Sequence, residues 1–130
     1  MTILVTGASG FVGSAVVRAL LARSETVRVL LRPASDRRNI DSLDVEIASG
    51  DLRRPDSLPA ALDGCRLVYH VAADYRLWTP RPADLYETNV AGTQNLIRAA
   101  IAAGAKRIVY TSSVATLGIN ANRKPGDETT

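Results

Sequence analysis

The sequence predicts an α/β fold, a parallel sheet covered by helices on both faces, and three observations predict it. Short runs rich in valine, isoleucine, leucine and threonine recur along the chain. Alanine- and leucine-rich stretches with helical spacing separate them, and glycines or prolines punctuate the junctions. Strands that alternate with helices are joined by right-handed crossovers, which make the strands parallel and the sheet doubly wound.

Residues 2–6 form a β-branched apolar run that ends at a glycine-rich stretch, 7–13, before an Ala/Val/Leu-rich helix that runs to Ala22. Residues 26–31 read as the second strand. It is interrupted by Arg28 and closed by Arg32-Pro33, where proline cannot join a ladder. A weakly patterned polar stretch, 34–42, leads to a third strand at 45–48, which Gly50-Asp51 closes. Residues 55–62 predict a short helix with Pro55 near its start, and Leu58 and Leu62 lie one turn apart on a single face. Gly64 ends it. The fourth strand is expected at 67–73 and the fifth at 107–111. Between them, residues 83–103 form a long helix whose Leu85, Leu96, Ala100 and Ile101 face the sheet, with Gly104 as its stop. From 120 to 130 the chain is polar, with a loop at Pro125-Gly126.

A chain of 130 residues, 46% hydrophobic and 22% charged, closes one core, so a single domain is expected. No apolar run reaches the roughly 18 to 20 residues that span a bilayer, and the N-terminus lacks a basic segment followed by a cleavable apolar one. A cytoplasmic protein without membrane insertion is expected. Sixteen basic residues against thirteen acidic ones leave a net charge of +3, and the arginines are scattered rather than bunched. Nucleic acid is therefore not the expected partner. The single cysteine, Cys65, cannot form an internal disulfide and reads as a small buried hydrophobe. No metal is expected.

A doubly wound sheet takes its ligand at the carboxyl ends of its strands. After the first strand come Gly7, Ala8, Ser9, Gly10, Phe11, Val12 and Gly13, with glycine at every third position. Gly7 suits a tight turn, Gly10 lets backbone amides approach a pyrophosphate, and Gly13 lets the helix pack close to the sheet. The helix that follows points its free N–H groups and positive dipole end at the phosphates. No Lys-Ser/Thr pair follows, which excludes an ATP-type P-loop. The turn is thus of the Rossmann dinucleotide type, in a sheet that reaches about five strands within this chain.

The end of the second strand is where an NAD enzyme places an acid for the ribose hydroxyls; here it holds Arg32. A guanidinium suits a 2′-phosphate, so NADP(H) is the preferred cofactor, with use of NAD(H) left open. Arg37 and Arg38 lie close enough in sequence to help, though both also read as solvated surface residues. Arg32 argues against S-adenosylmethionine, which also calls for an acid there.

Further motifs fall at the ends of the expected elements: Gly50-Asp51-Leu52, His70-Val71-Ala72-Ala73, Thr88-Asn89-Val90-Ala91-Gly92-Thr93 and Tyr110-Thr111-Ser112-Ser113. With the glycine motif they make the chain resemble an extended short-chain dehydrogenase/reductase of the NAD-dependent epimerase/dehydratase superfamily, over its whole length. It is most similar to the dihydroflavonol 4-reductase-like branch, and residues 72–78 are similar to the hopanoid-associated sugar epimerase group. The resemblance implies that Asp51 bonds the adenine amine and Leu52 packs on the ring. Ala72 and Ala73 would lie beneath the adenine ribose, Asn89 would brace the loop or a water near the active site, and Thr111 would border the cofactor. From the residues alone, Asp51 reads equally as a turn former or helix N-cap. Ser113 matches the hydroxyl that polarises the substrate carbonyl or alcohol, with Ser112 as the fallback; from the residues alone, both could merely satisfy backbone groups. His70, the only histidine, reads as a packed strand residue and not as a base.

The resemblance further implies a Tyr-x-x-x-Lys acid/base pair after Ser113. No such pair follows within the 130 residues, so the chain is read as the cofactor-binding N-terminal part of an oxidoreductase. Its C-terminal substrate lobe lies elsewhere, and this part alone is expected not to turn over. A small-molecule substrate is expected, with Tyr75, Leu77 and Trp78 either at its border or as a plain cover on the sheet end. A homodimer through helix 83–103 is also implied. Two alternatives stay open: a nucleotide-sugar epimerase or dehydratase using bound NAD, and a non-catalytic dinucleotide-sensing regulator.

Overall fold

A computed structural model describes residues 1–121 and 124–130; residues 122 and 123 of the predicted polar tail lie outside the described residues. Five strands, β1 (Thr2–Thr6), β2 (Thr26–Leu31), β3 (Glu46–Ser49), β4 (Cys65–His70) and β5 (Arg107–Tyr110), form one sheet in the order β3-β2-β1-β4-β5. All four pairings are parallel. The chain starts in the middle of the sheet, winds outward to β3, then crosses back to β4. The winding direction therefore reverses between β1 and β4, and that is where a crevice opens at the carboxyl rim.

Each face of the sheet has its own core, because successive side chains along a strand point to opposite sides. Ile3 and Val5 of β1 pack with Val27, Val29 and Leu31 of β2 against Val17 and Leu20 of helix α1 (Phe11–Leu21). Leu4, Leu30 and Val68 face the other way. They pack on Leu58, on Leu62 of the short helix α2 (Pro59–Leu62), and on Leu96 and Ala100 of α4 (Gly92–Ala102). Burial on both faces is why β1 is apolar at every position from Ile3 to Val5 rather than at alternate ones. The interruption at Arg28 is accommodated by bonding. Its Nη1 donates to the carbonyls of Ala61 (2.9 Å) and Asp63 (2.6 Å), and its Nε lies 2.9 Å from a Glu46 carboxylate oxygen.

Several boundaries differ from those expected. The third strand starts one residue later than predicted, where Glu46 comes into register with Arg28. The helix predicted over 55–62 is split into a 3-10 turn, Pro55–Ser57, and α2, because Pro59 has no amide to continue the ladder. The long helix predicted over 83–103 consists of α3 (Pro82–Tyr86), a π-turn (Glu87–Ala91) and α4. Ile101 was expected against the sheet but is 68% exposed. It lies five residues beyond Leu96, about 140° around the helix, whereas Ala100 at four residues stays on the buried face. The polar stretch 34–42 conceals Ile40, which is buried in the α1-side core.

The fourth strand was expected to reach Ala73 but stops at His70, and Thr6 explains why. Past Thr6 the first strand turns away at Gly7, and the Thr6 hydroxyl accepts the amides of Val71 and Ala72, both at 3.2 Å. With both lone pairs so engaged, the hydroxyl proton is directed to His70 Nδ1, 2.8 Å away. His70 is therefore protonated on Nε2, which donates to Thr93 Oγ1 of α4 at 2.9 Å. The imidazole is fully buried and stacks on the Tyr110 ring at 5.1 Å. It is the packed residue the sequence reading expects.

Burial pushes the His70 pKa from 6.5 down to about 4. The unfolded chain binds a proton in that window that the folded chain excludes. Stability is hence expected to fall as pH drops below about 6.5, reaching a loss of about 3 kcal/mol near pH 4. Urea denaturation across this range is the check: His70→Leu, with nothing to protonate, is expected to lose this part of the slope.

Candidate functional site

The bend between β1 and α1 lies at the carboxyl rim, beside the point where the winding reverses. Gly7 has φ +72°, a region costly for any residue with a Cβ, and a Cβ there would also lie 2.6 Å from the Ala72 amide nitrogen. The Gly10 amide donates to the Gly7 carbonyl at 3.0 Å and closes the turn. Gly13 was expected to permit close helix-to-sheet packing. The constraint is instead inside the turn, since a Cβ on residue 13 would fall upon the Gly7 carbonyl. At Gly10, by contrast, an added Cβ would meet only that same carbonyl oxygen, at 3.3 Å. The fold demands glycine at 7 and 13 and nearly tolerates alanine at 10, whose outer side is open.

No side chain caps α1, and its first internal bond is the one from the Ser14 amide to the Gly10 carbonyl at 3.0 Å. The amides of Phe11, Val12 and Gly13 thus precede the helix ladder and stand at the positive end of the helix dipole. The Phe11 and Val12 side chains are exposed. The Ala8 methyl is buried in the core, so its share in any ligand contact is through backbone. Ser9, half-buried, gives its carbonyl to Asn39 Nδ2 at 2.7 Å.

Arg32 stands exposed at the end of β2. Among the described residues no carboxylate lies within ion-pairing distance of it, whereas its neighbours are engaged: Arg38 with Asp36, Arg53 with Asp51 and Arg76 with Asp74. Asp51 and Asp74, at the ends of β3 and β4, are both held below the usual carboxylate range. The hydrogen-bonded arginine two residues on is the chief cause, and Arg32 adds a smaller electrostatic share. Arg37 is exposed, and Arg38 is committed to Asp36.

Asp51 is the turn former the residues alone suggest. Its carboxylate accepts the Arg53 amide at 2.9 Å, and its own amide donates to Ser57 Oγ at 3.0 Å. Leu52 is 7% exposed and belongs to the core, where Gly92 lets the helix approach it closely. Ala72, half-buried, lies against Gly7, and Ala73 is exposed. Both ends of the Asn89 amide bond the backbone of the loop after β4, and each keeps one further hydrogen-bonding position. Its Oδ1 accepts the Asp74 amide at 2.7 Å and its Nδ2 donates to the Asp74 carbonyl at 2.6 Å. It braces the loop after β4 from within the π-turn. Tyr75, Leu77 and Trp78, on that loop, are strongly exposed.

Beyond β5, Thr111 continues the ladder with one bond, from its amide to the His70 carbonyl at 2.9 Å. Ser113 caps a 3-10 turn, Val114–Thr116, by accepting the Ala115 amide at 3.2 Å. Its hydroxyl proton remains free to donate. Ser112 is exposed next to it. Glycine spacing and strand ends made most of this rim legible, but Thr6, Asn39 and Thr93 were missed. Their roles depend on partners far away in the chain, which periodicity does not reveal.

A glycine turn with uncapped amides at the switch point of a parallel sheet defines a dinucleotide-binding α/β protein. The sequence profile of the NAD dependent epimerase/dehydratase family matches residues 3–130, and the chain belongs to that family, the extended short-chain dehydrogenase/reductases. It is 47% identical over 120 residues to sterol demethylase protein B of Methylococcus capsulatus, covering 92% of this chain and 37% of that protein. It is 43% identical over 124 residues to a putative dihydroflavonol 4-reductase of Synechocystis, covering 95% and 36%. The chain thus spans little more than a third of these relatives. A UDP-glucose 4-epimerase of Thermus thermophilus, solved with NAD, superposes with a TM-score of 0.83 at 31% identity, over 99% of this chain and 43% of that one.

The geometry of the turn makes opposite demands at two glycines. Gly13→Ala is expected to cost about 3 kcal/mol, as it must displace the Gly7 carbonyl, while Gly10→Ala costs about 1 kcal/mol or less. Urea melts of the two variants measure this, and equal losses would contradict the turn described.

Proposed function

We propose that the chain is the coenzyme-binding part of an NADP(H)-dependent oxidoreductase that acts on a carbonyl or secondary alcohol of a small molecule. The observation that carries this reading is the pairing of an uncapped α1 N-terminus with an uncommitted Arg32 on the same rim. The amides of Phe11, Val12 and Gly13 suit a diphosphate, and Gly10, open on its outer side, leaves room for its approach. Arg32 suits a 2′-phosphate, Ala72 and Ala73 border the ribose, and Asp51 retains lone pairs for an adenine amine. The coenzyme, when bound, supplies or accepts hydride. The chain's own part is to orient: Ser113, with its oxygen fixed by the Ala115 amide, donates its proton to the substrate oxygen. No Tyr-x-x-x-Lys follows Ser113 within residues 1–130, and no acid/base group is assigned to this chain. Exposed Tyr86 and Ile101 on the outer side of α3 and α4 support a homodimer contact there.

A second reading is a nucleotide-sugar epimerase or dehydratase with NAD held throughout the reaction. The NAD-bound epimerase superposing on nearly the whole chain supports it. Arg32 separates the two. Fluorescence titration is expected to show tighter binding of NADPH than of NADH, and Arg32→Asp is expected to reverse the order, with a change of about tenfold or more in the ratio. Equal affinities before and after the exchange would refute the assignment.

A further inference from the structure

We propose that Asn39 is a positioning residue for the coenzyme, a clamp on the peptide that leads into α1. This rests on the reading of the glycine turn as a diphosphate site. Asn39 lies in the loop after β2, thirty residues along the chain from Ser9, whose carbonyl accepts its Nδ2–H at 2.7 Å. The other end of the same peptide, the Gly10 amide, donates to the Gly7 carbonyl at 3.0 Å. A trans peptide is planar, with its C=O and N–H antiparallel, so the two bonds hold a single plane from opposite sides. Gly10 has no Cβ, and without the outer bond this plane can rotate at little steric cost. The amides of Phe11 and Val12, which follow directly, take their direction from it.

The clamp is itself anchored. Ile40, the next residue, is buried in the core beside Val17 of α1 and Ala8 of the turn. Arg18 of α1 donates through Nη2 to the Asn39 backbone carbonyl at 2.8 Å and through Nη1 to the Ser14 carbonyl at 3.3 Å. The loop that begins at Arg32 is in this way tied to the turn and to the helix, and Asn39 is the side chain that transmits the tie to the amides. Its effect falls on the diphosphate, the part that NADPH and NADH share.

The test is titration of the wild-type chain, Asn39→Ala and Asn39→Asp with NADPH and NADH, alongside thermal melts. Asn39→Asp keeps the shape but sets an acceptor against the Ser9 carbonyl. The expected result is weaker binding of both coenzymes by about fivefold for Asn39→Ala and at least as much for Asn39→Asp. Their affinity ratio is unchanged, and the melting temperature stays within a few degrees of wild type. Unchanged affinities in both variants overturn the clamp. A changed ratio overturns it in favour of a role at the ribose, and loss of folding in both variants overturns it in favour of a purely structural one. If the wild-type chain binds neither coenzyme, the diphosphate reading itself fails, and that outcome is distinct from the others.

Discussion

The Gly7 carbonyl occupies the space in which any other residue at position 13 would place its Cβ, and the carboxyl rim is organised around that contact. It forces the chain to double back within the turn, so that α1 starts against the end of β1 with its first amides uncapped. Two struts hold the bend in place. On one side the Thr6 hydroxyl gathers the amides of Val71 and Ala72 and bonds His70, which bonds Thr93 in turn. On the other, Asn39 reaches the Ser9 carbonyl. A buried polar chain of this kind stabilises only when every member is satisfied. The neutral imidazole, accepting at Nδ1 and donating at Nε2, meets that condition.

The electrostatics of the rim follow a repeated local device. After β2, β3 and β4 an aspartate pairs with the arginine two residues on: Asp36 with Arg38, Asp51 with Arg53 and Asp74 with Arg76. Such exposed pairs contribute little to stability. Their consequence is that six charges cancel locally, while Arg32 and Arg37 form no ion pair among the described residues. A hollow of about 660 Å³ lies at the amino end of the sheet, lined by Leu21, Glu25, Asp44 and Glu46 among others. Its carboxylates are unsuited to a phosphate, and it is far from the switch point.

The strand cores and the glycine turn were legible because they depend on local pattern: apolar runs of strand length, and glycine where backbone approaches backbone. What escaped the sequence depended on partners brought in by the fold. Pro59 resets one helix whose apolar spacing looked regular, by lacking an amide, and a π-turn that contains Asn89 interrupts another. Thr6 ended β4 three residues early through its side chain. The polar run after β2 hid both Ile40, a core residue, and Asn39, because one apolar residue among charged ones has no period to reveal it. Asn89 braces the loop after β4 through one bond at each end of its amide, both to the Asp74 backbone.

The most direct measurement of the turn's role is the amide NMR spectrum of the ¹⁵N-labelled chain during addition of ADP-ribose, which carries the diphosphate but neither nicotinamide nor 2′-phosphate. Large shifts confined to Gly10, Phe11, Val12, Gly13 and their neighbours at the carboxyl rim are expected. Shifts clustered instead around Leu21, Glu25 and Glu46 at the opposite end of the sheet would contradict the assignment of the glycine turn as the diphosphate site.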